Sequence, residues 1–598
     1  MRVAALVVLS FVAVQATAAQ DAPRPGQTVP VRRPAAGASN PSGMDLPNPL
    51  PLKFTGPATT GAITPLDLMT RLYKFADDSM MGREAGTPWN DKGTDYIASE
   101  LKRLGLQPAG DSGTYFQHPI VRHVAAPTSW VGVGDRRYEL WKDFAPRDQG
   151  TGARAFDGAT VVYGGVYGDT LTMLRPEQAA GKVVVFKLRN RARPDGSIGP
   201  DINVNRFALS YRYPQAAALV VAQLDYLPPG YVQESYAAGQ VTPRTDAASA
   251  DPERPSYLYV TDALASQLLG APIDSATLGR AGATVRGQIG FVVEEAPGRN
   301  VLAILPGSDP ALRGQYVVIG AHDDHVGFNM EPEDHDSVKA VMLHAAPQGA
   351  DSPQPNPTPA QWVAINRTID SLRKLHPART DSIFNGADDD GSGSMALLEI
   401  AERFATSGTR PKRSVLFAWH VAEELGLWGS AYFTDHPTVS RDSIVAELNI
   451  DMIGRGGSGD ITGTTKEGAL IHGGPGYVQL VGARRLSTEL GDLVERTNTQ
   501  GKIGLRFDYA LDANGHPQNI YCRSDHYMYA RYGIPIVFFT TGGHADYHQV
   551  TDEPQYIDYG RMAQVATLVH ASATNVANLD HRVVVDKPKP DPHGSCQQ

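Results

Sequence analysis

The sequence predicts an α/β protein: a mixed, mostly parallel sheet with helices on both faces, plus a β-rich inserted module. Three observations carry this. From Asn300 onward, short apolar runs alternate with helix-like stretches, as expected for strands buried on both faces. Between Ala125 and Glu294, short β-like runs separated by turn signals dominate instead. At 598 residues the chain is too long for one core, so more than one domain is expected.

Composition narrows the function classes. The net charge of -10 argues against a nucleic-acid binder, which would present a basic face. With two cysteines, Cys522 and Cys596, neither a disulfide scaffold nor a Cys-rich zinc site is available. Any metal must then be held by His, Asp and Glu.

Taken in order, the chain opens with a targeting signal over 1–19. Arg2 is the charged start, Val3–Val14 the apolar stretch and Ala16-Thr17-Ala18 the small-residue cleavage site. The apolar stretch is too short to span a bilayer, and no other segment is apolar enough, so an exported protein with no integral span is expected. Residues 20–63 are rich in Pro, Gly, Ala and Ser and read as a disordered leader. Thr64-Pro65-Leu66 starts a helix, with Leu66, Met69, Leu72, Tyr73 and Phe75 at helical spacing. Met80–Pro88 is a turn-rich loop. A second helix presents Tyr96, Ile97, Leu101 and Leu104 and stops at Gly105.

The β-rich module contributes the runs Thr160–Tyr163, Lys182–Phe186, Ala218–Val221, Tyr257–Val260 and Val285–Val293. In the main domain, Val301–Leu305, Tyr316–Gly320, Ser414–Trp419, Ala446–Ile450 and Pro535–Thr540 read as strands. Gly393–Phe404, Tyr477–Leu490, Ser524–Tyr532 and Tyr559–Ala577 read as helices, and 581–598 as a flexible tail. The polar excursion Phe328–Phe384 holds one clear helix, with Thr358 as N-cap, Pro359 next and Gln361 closing a capping box. It is either a lid or specificity element, or surface decoration.

The chemistry lies at strand ends. Trp419-His420-Val421-Ala422-Glu423-Glu424 places two adjacent carboxylates after a buried strand. Such neighbours raise each other's pKa unless a cation or separate partners intervene, so one suits a metal and the other a free proton acceptor. Four other elements put His or Asp just beyond a strand or at a helix start: His322-Asp323-Asp324-His325, Asp388-Asp389-Asp390, Asp451, and His544-Ala545-Asp546-Tyr547-His548. Singly each has a plain reading, as an N-cap, a turn residue or a structural histidine. Together they suit two divalent cations held by imidazole and carboxylate.

The order of these five motifs resembles the M28 family of zinc metallopeptidases, which includes secreted aminopeptidases. The resemblance covers about Asn300–Ala577. Met81–Thr87 is similar to the amino-terminal part of such enzymes, and 125–294, more loosely, to their protease-associated insert. The resemblance implies a zinc exopeptidase fold over 64–124 and 295–580, two Zn2+ per chain and a peptide substrate. It assigns His322 and Asp451 to the first metal, Asp389 to both, and Glu424 and His548 to the second. Asp324 would orient His322, and Glu423 would serve as general base toward a metal-bridged water. Tyr547 would stabilise an oxyanion, and Asp389–Asp390 would be a cis peptide. Asp323, His325, Asp388 and His544 crowd the same motifs as alternative ligands. Two other readings keep this scaffold: a one-zinc glutaminyl-peptide cyclase and a non-enzymatic binding protein. A serine hydrolase is more distant, because Gly391-Ser392-Gly393 forms no nucleophile elbow.

Overall fold

The computed structural model describes residues 46, 47, 49–148, 154–169, 171–192, 198–202, 205–245 and 254–598. The targeting signal and most of the leader lie outside the described residues. The chain forms two compact units. The first comprises Lys92–Phe116 and Asn300–Gln598 with the residues up to Glu84; the second comprises Ala85–Asp91 and Gln117–Arg299.

The first unit is built on a mixed sheet. Its order is Gln107–Pro108, Asn300–Leu305, Ser414–His420, Tyr316–His322, Ile444–Ile450, Ile536–Thr540, Tyr477–Val481, Arg506–Asp508. The four strands from Ser414–His420 to Ile536–Thr540 run parallel. Strand alternation sends Val317, Ile319 and Ala321 to one face and Val318 to the other. The first face is covered by the helices Pro65–Phe75, Gly391–Thr406, Thr488–Gly501 and Tyr559–Asn578; Phe433 and Tyr529, from two shorter helices, pack on the second. The mixed α/β fold expected from the sequence is therefore present.

The helix starts follow their local signals. Thr64 accepts the Asp67 amide, with Pro65 at the first position, and Thr358 with Gln361 forms the expected capping box. Three expectations change. Tyr477–Leu490 is not a helix: Tyr477–Val481 is a fully buried strand, and Ser487 starts the helix Thr488–Gly501 by accepting the Leu490 amide. Its end after Gly482 (φ 75°) separates the two elements that one apolar run had merged. The leader is packed before residue 63: Phe54 lies against the core, Ile63 is buried in it, and Thr59 bonds Glu402. The tail 581–598 is fastened too. Cys596 is bridged to Cys522, and Asp586 accepts the Thr488 amide.

The second unit has its own sheets. Val285–Val293 is not one strand: Ala281–Ile289 joins an eight-stranded sheet and Phe291–Glu295 a three-stranded one.

The first unit's helices are pinned by a buried charge cluster. Arg71 meets Glu399 at 2.8 Å and Glu100 at 3.1 Å, and also pairs with Glu402. Removing one partner of such a cluster strands the others without counter-charge. Arg71→Leu is expected to cost about 3–5 kcal/mol in urea unfolding, with metal content of the folded protein unchanged. A cost below about 1 kcal/mol would show that the glutamates find other partners.

Candidate metal centre

The parallel strands all end on one edge of the sheet. There Tyr316–His322 delivers His322, Ser414–His420 leads to Glu423 and Glu424, Ile444–Ile450 to Asp451, and Ile536–Thr540 to the loop carrying Tyr547 and His548. Asp389 enters from the start of the helix Gly391–Thr406. Ala422, Met452 and His548, beside or among these groups, take left-handed backbone at φ 58°, 57° and 54°, a conformation costly for residues with a side chain.

Two clusters of potential metal ligands form, and both contain Asp389. In one, His322, Asp389 and Asp451 converge. His322 Nε2 lies 3.1 Å from Asp389 Oδ1 and 3.6 Å from Asp451 Oδ1. In the other, His325, Asp389, Glu424 and His548 converge. His548 Nε2 lies 3.0 Å from both Asp389 Oδ2 and Glu424 Oε2, and His325 Nδ1 lies 2.8 Å from Glu424 Oε1. Among the described residues, the buried atoms His322 Nε2, Asp389 Oδ2, Asp451 Oδ1 and His548 Nε2 find no well-aligned hydrogen-bond partner. Two imidazole nitrogens and several carboxylate oxygens, withdrawn from water and pointed at each other, fit divalent cations of the zinc type.

The electrostatics agree with this crowding. Burial pushes the Asp389 carboxyl up, but His322 and His548 outweigh it and hold the group well below the usual carboxylate range. Burial likewise lowers His548, yet Asp389 and Glu424 push it up to about 11. Glu423 is not held down in this way. Withdrawal from water raises it well above the usual range; His322 opposes this, and Glu424 and Asp451 add to it.

The three consecutive aspartates divide their tasks. The Asp389–Asp390 peptide is cis. Asp390 caps the helix by accepting the Gly393 amide at 2.8 Å, and it also takes the His322 amide at 3.1 Å. Asp388 accepts the Gly454 amide at 2.6 Å and faces His544 Nε2 at 3.2 Å, which places His544 apart from both clusters. Asp324 meets the far nitrogen of His322. His322 Nδ1 is 3.2 Å from the Asp324 carbonyl and 3.8 Å from its carboxylate, which also accepts the Glu423 amide at 3.1 Å. The residue supports both groups, through different atoms.

His325, one of the alternative ligands the sequence offers, belongs to the second cluster. Two other contributors, Arg83 and Ser524, are not evident from the sequence. Arg83 is fully buried and donates to the carbonyls of Phe75, Asn385 and Gly386, fixing the loop before Asp389. Only its position in a turn-rich motif hinted at this. Ser524 donates to Asp451 Oδ2 at 2.8 Å.

A cavity opens beside the clusters, reached by Asp389, Glu423, Asp451 and Tyr547 and walled by Met452, Leu511, Ile520 and Phe538. The 328–384 excursion supplies part of the wall through Gln348 and Asp351. Besides the expected helix Pro359–Leu372 it contains His335–Ala345, capped by Asp334. It is tied to the His548 loop. Lys339 meets Asp546 at 2.7 Å, His335 meets Glu553 at 2.8 Å, and the Ala350 amide donates to the Tyr547 carbonyl. Asp351 takes Arg523 through both oxygens, and Arg523 Nη2 lies 3.3 Å from the Tyr547 hydroxyl.

Residues 300–573, the stretch holding every ligand described above, match the profile of peptidase family M28. Leupeptin-inactivating enzyme 1 of Streptomyces exfoliatus is 30% identical over 203 residues, 33% of this chain and 39% of that protein. Leucine aminopeptidase 1 of Coccidioides posadasii (strain C735) is 30% identical over 224 residues, 36% of this chain and 52% of that protein. The chain thus spans about half or less of the curated relatives it matches. A solved aminopeptidase from Aneurinibacillus sp. strain AM-1 aligns over 88% of this chain and 97% of its own, at 15% identity and a TM-score of 0.41. The domain that carries the two ligand clusters is thus similar to peptidase family M28.

Proposed function

We propose that the chain is a two-zinc metallopeptidase that removes residues from the free amino terminus of peptides. The observation that carries this reading is the pair of ligand clusters sharing Asp389, with Glu423 lining the adjoining cavity. His322, Asp389 and Asp451 would hold one ion; Asp389, Glu424 and His548, with His325 against Glu424, would hold the other. Removal from the amino end follows the name of the similar leucine aminopeptidase. The Cys522–Cys596 bridge fits an oxidising compartment.

When bound, the two ions would supply Lewis acidity toward the scissile carbonyl and toward water. The chain's own groups do the rest. Glu423, whose proton affinity burial raises, accepts the proton of the attacking water and returns it to the departing amine. Its amide is anchored on Asp324, so its backbone stays in place during both transfers. The Tyr547 phenol, set beside Arg523 and stacked near His548 with ring centres 4.1 Å apart, donates to the oxygen that gains charge. The apolar cavity wall receives the side chain of the terminal residue.

The test combines metal analysis with a substrate pair. Purified protein should hold two zinc ions per chain and cleave an unblocked aminoacyl-nitroanilide while leaving its N-acetyl form intact. One ion with cyclisation of glutaminyl peptides would replace this reading with the cyclase, and no bound metal would replace it with a binding protein. Glu423→Gln should keep both ions while kcat falls about 10²- to 10⁴-fold. Asp389→Asn should lose metal from both clusters, because each draws an oxygen from that one carboxylate; retention of both ions would refute the shared role.

A further inference from the structure

One wall of the cavity is unlike the others. Thr462, Gly463, Phe538 and Thr540 lie on paired strands. Leu511, Gln518, Ile520 and Arg523 come from Ala510–Ser524, where the regular structure is two single 3₁₀ turns, Ala510–Asp512 and Ile520–Cys522. Short turns hold themselves weakly, so such a segment depends on what packs on it.

What packs on it is the end of the tail. Gln598 spans both turns. Its side-chain amide donates to the carbonyls of Leu511 and Ala513, while its Oε1 accepts the Tyr521 amide at 3.0 Å. Its main-chain carbonyl accepts the Gly515 amide at 2.7 Å. Two residues earlier, Cys596 is bonded to Cys522, a link across 74 positions of sequence. Cys522 directly precedes Arg523, which touches the Tyr547 hydroxyl, and Ser524, which donates to Asp451. The tail therefore grips the cavity wall at both turns and just upstream of two groups that reach the centre.

We propose that Cys596–Gln598 is a strap that sets the shape of the substrate side-chain pocket. Gln598 and the Cys522–Cys596 bridge are then positioning elements for specificity that do not touch substrate themselves. The inference rests on the aminopeptidase reading for the identity of the pocket. The strap's hold on 510–524 stands apart from that reading. Loosening the wall blurs the fit for a large apolar side chain more than for a small one, because only the large one reaches Leu511 and Ile520. The ligands of both clusters lie outside the strapped segment and keep their metal.

Three forms of the full chain separate the outcomes: wild type with and without tris(2-carboxyethyl)phosphine under native conditions, the Cys522→Ser/Cys596→Ser double variant, and Gln598→Ala. Hydrogen exchange of peptides covering Ala510–Ser524, zinc content, and kcat/KM for leucyl- and alanyl-nitroanilide are read on each. Release of the strap is expected to speed exchange in that segment alone and to leave zinc in place. The leucyl-over-alanyl preference should fall about 10-fold, the scale of one or two misfitted methylenes, mainly through KM. Unchanged exchange, or faster exchange with an unchanged preference, would overturn the proposal. If the wild type hydrolyses neither substrate, the aminopeptidase reading fails, and the exchange measurement still decides whether the strap holds the wall.

Discussion

Carboxylate crowding at the carboxyl edge of the sheet is the constraint to which the rest of the first unit responds. Asp324, Asp388, Asp389, Asp390, Asp451 and Asp552 are all buried there, and Glu423 and Glu424 stand beside them. Charges of one sign in a water-poor corner are tolerated only when each finds a cation or amide hydrogens. The structure supplies these separately. Asp390 and Asp552 take backbone amides, Asp388 takes an amide and His544, and Asp389 faces three imidazoles. Glu423 keeps a raised proton affinity, because burial outweighs the attraction of His322. That unevenness separates groups suited to hold metal from a group suited to carry a proton.

The same constraint reaches outward. Asp546, two residues before His548, is fully buried, and Lys339 and Arg455 outweigh the effect of burial to keep it charged. Lys339 belongs to the 328–384 excursion, so that excursion is part of the support of the His548 loop. Gly349 shows how closely they fit: a Cβ there would stand 2.4 Å from the Tyr547 carbonyl oxygen. Arg523, from the 510–524 wall, closes a chain from Asp351 to the Tyr547 hydroxyl. The cavity is thus bounded by elements far apart in sequence that share a few charged contacts.

Much of this was legible in the chain. Buried strands announce themselves by unbroken apolar runs, and His322, Asp451 and the Glu423–Glu424 pair stand just past such runs. Ligands in parallel sheets gather where strands end, so motif order alone points to the right edge. Less was legible where one local pattern supports two structures. Tyr477–Leu490 is apolar enough for either element, and the tail 581–598 carries little sign that it is fastened. The sequence contains Cys522 and Cys596, 74 positions apart, and nothing local in it brings their Cα atoms to 5.9 Å.

The sequence by itself determined the alternation of strands and helices, the capping of the helices at Thr64 and Thr358, and the set of acids and histidines available to the centre. These follow from side-chain periodicity and from bonds between residues three or four apart. Only the tertiary structure decided which member of each cluster faces which partner: Asp389 between the histidines, Asp388 against His544, His325 on Glu424, and Arg83 and Gln598 on the loops they hold. The reason is geometric. Neighbouring residues at a strand end or helix start point in different directions, and what each one meets depends on chain that arrives from tens or hundreds of residues away.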